Sequence, residues 1–553
     1  MKEKVVRNKW KAFVLIIFSV YSACLIVFYD SFHFGGSIFG SIAYNYVQID
    51  HLVIRLIFIP ICTVVCGLLT LCICRVYEKL RKKLFTQNMC TKRKKLFFFL
   101  GIVISLILCW SPYILTYYPG AVYSDGFVSI DQILKNYLNN HHPIFYTKFV
   151  GLFIRFGLHF GSLNMGIALY TLGQTVIMAL VLAYTLLWMY NKNINKLYII
   201  LCGLFFAFYP LFPYYAIALW KDTLFSLVLF LFILLQIDVV VSNGMLLNTV
   251  KGLVHYSILA IGVMFLRNNG IYIIAFSIVI HLLINFRMFK TLKKFMICAA
   301  VMMTATFIIQ NPVYESMDLS TEFVENLGIP MQQISAVVAY DGELTQEQED
   351  FLGQIWDLEE LGKKYTPCLA DTPKGRVNKF NGEFIENHKK EFLKTWIQVC
   401  IQNPKIVTDA FFMENLGFWH LSVSGNVAYI QNGVWENSFG VERKDLFEKF
   451  FHFSFEKLVL PRHYLSCGFL FWLVLLNMTV MVILRGERSI TIWSSVIGAW
   501  ITMMIATPIA ISLRYMYILV LVLPLLPITP FFECEDSSEQ RVEFESKSEI
   551  CNF

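Results

Sequence analysis

Residues 96–117 read LFFFLGIVISLILCWSPYILTY and contain no charged side chain. An α-helix rises about 1.5 Å per residue, so about twenty apolar residues cross the hydrocarbon core of a bilayer. Comparable runs recur along the 553-residue chain, near 12–29, 52–74, 96–117, 165–190, 197–213, 222–241, 253–266, 271–286, 295–310, 464–484, 489–507 and 513–531. The sequence therefore predicts an all-α polytopic membrane protein with about twelve transmembrane helices.

The composition supports a membrane protein and argues against nucleic-acid binding. Hydrophobic residues make up 57% of the chain and charged residues 15%, whereas soluble proteins are about half apolar and about a quarter charged. The net charge of +7 comes from Lys and Arg in short loops between apolar runs, which is the pattern that orients membrane helices. Membrane lipids are thus the expected surroundings of the chain.

The basic residues predict which loops are cytoplasmic. Lys and Arg are dense at the N-terminus and in 75–95 but missing from 30–51, which places the first two segments inside and the third outside. This alternation predicts a multi-pass protein with both termini cytoplasmic, and the short loops are compatible with a bacterial plasma membrane. It also requires segment 144–161 to be an interfacial helix rather than a span.

The same alternation divides the chain into four parts. They are an N-terminal membrane bundle at 1–310 with its first outer loop at 117–164, a region at 311–462, C-terminal membrane helices at 463–531 and a cytoplasmic acidic tail at 532–553. Region 311–462 is too polar to span and long enough to form a domain. It is therefore expected to be a mostly helical extracytoplasmic domain, called the insert below.

Local signals in the insert predict helix boundaries. Thr345 to Gln348 form the pattern of a capping box, and Asn403-Pro404 predicts that one helix ends and another begins. Cys368 and Cys400 could form a disulfide in an extracytoplasmic domain, or both could stay free.

Scarce polar residues fall at the predicted outer ends of the apolar helices. The candidates are Asp125, His141, His142, Lys221, Asp222, Arg267, Asn268, Arg514 and Tyr515. Each has a simpler explanation as an interfacial anchor, a turn residue or a helix cap. Their convergence on one membrane face nevertheless suits an anionic lipid-linked substrate, because cations hold phosphate while a carboxylate abstracts a proton.

Several short motifs resemble a known superfamily. The first outer loop contains PG at 119–120, SDG at 124–126 and HHP at 141–143, and it is followed by ALWKDTLFS, FLRNNGIYII, IPMQQISAV and SLRYMYILV. These segments resemble uncharacterised bacterial members of the GT-C superfamily of membrane glycosyltransferases, relatives of the protein mannosyltransferases and aminoarabinose transferases. The resemblance covers most of the membrane part and the start of the insert.

The resemblance implies a GT-C-like fold that transfers a sugar from a polyprenyl-phosphate donor to a glycan, lipid or protein acceptor on the outer face. Asp125 matches the catalytic carboxylate of the first outer loop and would act as general base. Lys221, Arg267 and Arg514 would hold the donor phosphate, with the two histidines as supports. Many members carry two acidic residues close together, whereas Asp131 lies six positions beyond Asp125. This departure leaves the mechanism and a possible divalent metal open.

Two other functions compete with this prediction. A transporter or flippase of lipid-linked glycans would use the same cations without chemistry, but transporters usually place ionisable residues near the bilayer midplane and contain repeats. A glycan polymerase or ligase would share the donor class. The sequence identifies neither the sugar nor the acceptor.

Overall fold

The computed structural model describes residues 2–33, 46–86, 91–140, 142–285, 289–319, 323–375, 378–422, 433–457, 466–506, 509 and 512–532. His141 and the predicted acidic tail beyond Phe532 lie outside the described residues.

The N-terminal part of the chain is a succession of helices. They are α1 (Lys2–Val27), α2 (Leu52–Leu84), α3 (Lys92–Thr116), α4 (Ser124–Lys135), α5 (Ile144–Phe160), α6 (Leu163–Asn191), α7 (Lys196–Phe208), α8 (Leu211–Ile217), α9 (Lys221–Val241), α10 (Val250–Leu266), α11 (Gly270–Ile284) and α12 (Phe289–Ile308). Two short antiparallel strands, β1 (Phe32–His33) and β2 (Tyr46–Val47), pair between α1 and α2.

The remaining helices belong to the insert and the C-terminal part. They are α13 (Tyr314–Ser316), α14 (Gly328–Ala339), α15 (Gln346–Leu352), α16 (Leu358–Lys364), α17 (Gly382–Asn387), α18 (Lys389–Gln402), α19 (Pro404–Glu414), α20 (Leu416–Trp419), α21 (Leu446–Phe451), α22 (Cys467–Arg485), α23 (Ile490–Ile505) and α24 (Ile518–Leu521).

Eight helices in the described residues are long and apolar enough to cross a membrane. They are Lys9–Val27, Leu52–Leu80, Lys92–Thr116, Leu163–Asn191, Lys221–Val241, Lys293–Ser316, Cys467–Arg485 and Glu487–Ile505. A ninth span results if α7 and α8, which meet at a bend of 52°, are counted together. The chain is thus a multi-pass helical membrane protein, with fewer long spans than the twelve expected.

The shortfall has local causes. α10 and α11 are apolar but only 17 and 15 residues long. Region 513–531, predicted as one span, is instead the 3₁₀ turn Leu513–Met516, the short α24 and the 3₁₀ turn Thr529–Phe531. Pro524, Pro527 and Pro530 explain the difference, because proline lacks a backbone donor and interrupts a helix. The segment is buried among other helices, where irregular backbone is tolerated at membrane depth.

Segment 144–161 forms the 17-residue helix α5, which packs against α4 and α6. It does not reach the length of the eight candidate spans. Its prediction as an interfacial helix stays a prediction, because length and packing do not determine how the helix lies relative to the bilayer.

The insert has a hydrophobic core of its own. Trp356, Met331 and Phe392 lie at its centre, with side chains from α14 to α18 around them. The predicted capping box is confirmed, because Thr345 accepts from the Gln348 backbone and the Gln348 side chain caps Thr345 in return. Asn403 ends α18 and precedes α19 as predicted.

The two insert cysteines are free in the structure. The Cys368 thiol donates to the Met413 carbonyl, and the Cys400 thiol donates to Gln333 Oε1. No disulfide joins the pair.

The insert is fastened to the membrane bundle through α19, α20 and α23. The Asn415 amide donates to the Met504 carbonyl over 3.1 Å, and the Trp500 indole donates to the Phe418 carbonyl over 2.8 Å. Leu369 pairs with Ile509 through backbone hydrogen bonds. These contacts place one side of the insert over the C-terminal end of α23. The end of the bundle at which this terminus lies is hereafter called the cavity end.

Candidate functional site

Four separate segments bring the candidate residues together. Asp125 lies in the first turn of α4, and Lys221 and Asp222 begin α9. Arg267 ends α10, and Arg514 lies in the 3₁₀ turn after α23. Each segment is a helix terminus or a turn between helices, so the charged groups lie at the boundary of the apolar bundle, where they are less costly than at its centre.

Arg514 links two carboxylates. Its Nη2 lies 3.0 Å from Asp125 Oδ2, and its Nε lies 3.4 Å from Asp222 Oδ2. Trp220 and Tyr515 stack on the guanidinium, with ring centroids 5.3 and 4.7 Å from its carbon. Two carboxylates thus lie within 3.4 Å of the guanidinium, and an arginine side chain stays protonated in proteins. The guanidinium is therefore a fixed positive charge.

Arg267 holds the other side of the same buried carboxylate. Its Nη1 lies 3.2 Å from Asp222 Oδ1 and donates to the Tyr515 carbonyl over 3.0 Å. The Asp222 side chain is only 1% exposed. A buried carboxylate between two guanidiniums is stable only as an ion-paired unit, so Asp222 fixes the arginines rather than facing a ligand.

A second polar pair lies beside the arginines. Lys221 Nζ is 2.7 Å from His142 Nδ1. In its ammonium form Lys221 can only donate, and His142 then accepts at Nδ1 and carries its proton on Nε2. Asn268 donates to the Asn140 carbonyl over 2.8 Å, which ties the joint between α10 and α11 to the loop that contains the histidines.

These side chains line one cavity of about 270 Å³. Of the predicted site residues, Asp125, His142, Lys221, Arg267, Asn268, Arg514 and Tyr515 line it. Asp222 lies beneath the two arginines, and the predicted His141 lies outside the described residues. The structure thus brings together residues from positions 125 to 515.

The opposite wall of the cavity was not predicted from the residue pattern. The insert contributes Glu325, Gly328, Ala370, Asp371 and Lys374, and the end of α23 contributes Thr502, Met503 and Ala506. Lys374 pairs with Glu325 at 2.8 Å, so the wall is charged but internally paired. The cavity therefore lies between the membrane bundle and the insert, and both contribute polar groups.

The loop before Asp125 is held from both sides. Ala121 exchanges backbone hydrogen bonds of 2.9 Å with Ile217 and Leu219. Val122 donates to Gly433 over 2.8 Å and accepts from Trp435 over 3.0 Å.

Within this loop Gly120 has φ +141°, and a Cβ there would collide with Thr171. Glycine is therefore required at this position. The constraint fixes where α4 begins and hence where Asp125 lies.

The residues do not fit a divalent metal. Hard cations need several oxygen ligands, but the carboxylates of this site are engaged by cationic side chains: Asp125 and Asp222 by guanidinium groups, and Glu325 and Asp371 by Lys374. Among the described residues no group of three or more His, Cys, Asp or Glu could hold a metal ion.

Residues 132–544 match the family of unknown function DUF6020. The chain belongs to this family. The matched region covers most of the chain and includes every candidate site residue except Asp125, which lies seven positions before it. No curated protein and no solved structure matches the chain. Membership of DUF6020 therefore defines a family without assigning an activity.

Proposed function

We propose that this DUF6020 protein is a membrane glycosyltransferase that moves a sugar from a polyprenyl-phosphate donor to a cell-envelope acceptor on the outer face of the plasma membrane. The observation that carries the proposal is the pairing of Arg514 with Asp125 at 3.0 Å in a cavity between the apolar bundle and the insert. Arg514 supplies a cation for the donor phosphate, and Asp125 beside it supplies a carboxylate for the acceptor hydroxyl.

The bundle side of the cavity supports an anionic ligand. It contains the cations Lys221, Arg267 and Arg514 and the carboxylates Asp125 and Asp222, which leaves one positive charge in excess on this side, whereas the insert side, with Glu325, Asp371 and Lys374, has one negative charge in excess. A sugar linked to a lipid through one phosphate carries one negative charge. Arginine side chains suit phosphate because their planar fork binds two oxygens.

The proposed step is a direct displacement. Asp125 takes the proton of an acceptor hydroxyl as its oxygen attacks the anomeric carbon, and the bond from that carbon to the phosphate oxygen breaks. The polyprenyl phosphate leaves with the bonding electron pair, and the three cations stabilise its developing charge. Direct attack inverts the anomeric centre.

A second, apolar groove supports a lipid-linked donor. Its volume is about 390 Å³ and its walls include Cys24 and Leu25 of α1, Phe412 of α19, and Trp500 and Met504 of α23. Thr502 and Met503, which lie between these two residues of α23, line the polar cavity. A phosphate in the cavity and an apolar chain in the groove would thus lie on two sides of one helix.

The test uses the purified full chain in lipid nanodiscs with a radiolabelled polyprenyl-phosphate sugar and an envelope extract as the source of acceptor. We expect label transfer and release of polyprenyl phosphate from the wild type. Asp125→Asn should abolish both.

The matched control is Asp131→Asn, which removes a carboxylate of the same helix that pairs with Lys135 at the surface. It should transfer at the wild-type rate. Full transfer by Asp125→Asn would remove this carboxylate from the mechanism.

A lipid-linked-glycan transporter is the second candidate, and one buried feature favours it. Gln236 donates to Ser277, whose hydroxyl contacts Ser494 at 2.8 Å. His281 Nε2 has no hydrogen-bond partner among the described residues. Polar groups inside a membrane bundle are often functional, although such bonds also join helices. Movement of labelled donor across the bilayer without cleavage would favour transport over transfer.

A further inference from the structure

The segment that returns from the insert to the bundle exposes several aromatic rings. Residues 446–457 read LFEKFFHFSFEK, and Phe450, Phe451 and Phe453 are 64%, 61% and 44% exposed. Adjacent exposed rings mark a contact surface. We call this stretch the aromatic segment.

The aromatic segment packs on the cavity end of α3. Phe455 meets Tyr113 edge-on with ring centroids 5.0 Å apart, and Phe447 contacts Phe455 at 5.4 Å. Tyr113 lies in the last turn of α3, which ends at Thr116. Since α3 is long and apolar enough to span the bilayer, its last turn lies near the level where hydrocarbon meets headgroups.

Lipid must surround this part of the bundle. α3 exposes Leu100, Ile104 and Leu108 along its length, and on a spanning helix such side chains contact acyl chains. A segment docked at the end of that helix is therefore beside the headgroup region, and its exposed rings continue an apolar surface already covered by lipid.

The composition of the aromatic segment fits that location. The exposed polar residues Glu448, Lys449 and His452 are interspersed with the exposed rings. Segments that lie in the interface bury aromatic side chains at the acyl boundary while charged groups remain among the headgroups.

Arg443 connects the aromatic segment to the candidate site. Its guanidinium pairs with Glu456 at 2.8 Å, stacks on Tyr117 at 4.5 Å and donates to the Thr116 carbonyl. The neighbouring Lys444 donates its backbone N–H to the Tyr118 carbonyl over 2.8 Å. The segment is thus fixed to the start of the loop that leads to Asp125.

We propose that the aromatic segment lies in the lipid headgroup region, with the bilayer surface as its partner, and holds the insert at a fixed height over the cavity. This interaction follows from exposure and packing and does not depend on the proposed function.

The experiment places an environment-sensitive fluorescent amino acid at position 450 by nonsense suppression, in the full chain reconstituted into nanodiscs. The nanodiscs contain either plain phosphatidylcholine or phosphatidylcholine brominated on its acyl chains near the headgroup. Position 108 of α3, which is 66% exposed, serves as the lipid-contact control. Position 350, an exposed carboxylate of α15, serves as the water-contact control.

We expect the probe at 450 to emit at shorter wavelength than at 350 and to lose at least half of its emission in brominated lipid. Emission like that at 350, without quenching, would overturn the proposal. A blue-shifted but unquenched probe would show contact with protein instead of lipid and would overturn it equally.

Discussion

Arg514 Nη2 lies 3.0 Å from Asp125 Oδ2, although 389 positions separate the two residues in the chain. This ion pair connects the start of α4 with the turn after α23, and it lies at the wall of the cavity. In the proposed reaction both side chains make other contacts, because the arginine binds phosphate and the carboxylate accepts a proton. The pair is therefore expected to exchange its internal contact for contacts with the two substrates.

Competition for Arg514 predicts an unusual binding phenotype. Asp125→Asn removes the carboxylate that competes with donor phosphate, so donor affinity should rise about tenfold, or ~1.4 kcal/mol, while transfer is lost. The measurement is the titration of a fluorescent polyprenyl-phosphate analogue into protein in nanodiscs.

Asp131→Asn is again the matched control, and its donor affinity should equal that of the wild type. If Asp125→Asn bound the analogue more weakly than the wild type, Asp125 would be helping to hold the donor rather than competing with it.

Asp222 has a different expected role, since it forms ion pairs with both arginines on the side away from the cavity. Asp222→Asn leaves Arg267 and Arg514 facing each other without their shared buried carboxylate. Breaking a buried ion pair typically costs about 3–5 kcal/mol, so the melting temperature in detergent should fall by several degrees.

The comparison variant is Asp238→Asn at the other end of α9. Asp238 is 28% exposed and pairs with Lys192, so its loss should cost about 1 kcal/mol or less. Equal destabilisation by both variants would show that the buried position of Asp222 does not govern stability.

Much of this site could be anticipated from the order of apolar runs. Lys221, Arg267 and Arg514 each stand at the end of an apolar run, and helices that alternate in direction return every second end to the same membrane face. This prediction needs only the positions of the charged residues and the lengths of the apolar runs. It predicted that the three cations share one face, and the structure places them in one cavity.

Other features depend on packing that the residue pattern does not contain. Lys374 and Glu325 reach the cavity only because the insert docks on α23 through Asn415 and Leu369, a contact between distant segments. Asp222 was assigned to substrate binding, yet its partners place it beneath the arginines. The interruption of the helix in 513–531 did have a local signal, namely three prolines. The prediction of a single span there followed hydropathy and disregarded them.

The apolar groove predicts that affinity depends on the length of the lipid chain. Cys24→Trp adds a large ring to a groove wall, so it should weaken binding of long polyprenyl phosphates about tenfold, or ~1.4 kcal/mol. Binding of a short, water-soluble phosphate analogue should not change. Both affinities are measured by competition with a labelled donor.

Cys72→Trp provides the control, because Cys72 is an exposed residue of α2 outside the groove. A loss of affinity for long and short analogues alike in Cys24→Trp would show that the variant disturbs the cavity rather than the groove.

A buried carboxyl at the junction of insert and bundle predicts how stability depends on pH. Glu414 ends α19 and is 1% exposed, and neither side-chain oxygen has a hydrogen-bond partner among the described residues. Burial raises its pKa well above the ordinary 4.5. The folded chain therefore keeps this proton as pH rises above 4.5, whereas the unfolded chain releases it, so stability falls through the window up to the raised pKa.

Glu414→Gln carries no titrating proton and should lack this decline, which amounts to about 1.4 kcal/mol per pH unit within the window. Thermal unfolding in detergent between pH 4.5 and about pH 8 measures it, and the melting temperature of the wild type should fall more steeply than that of Glu414→Gln. The control Glu391→Gln changes an exposed carboxylate of α18 and should follow the wild-type curve. Parallel curves for wild type and Glu414→Gln would mean that the carboxyl is ionised in the folded protein, with a cation or water satisfying it at the junction.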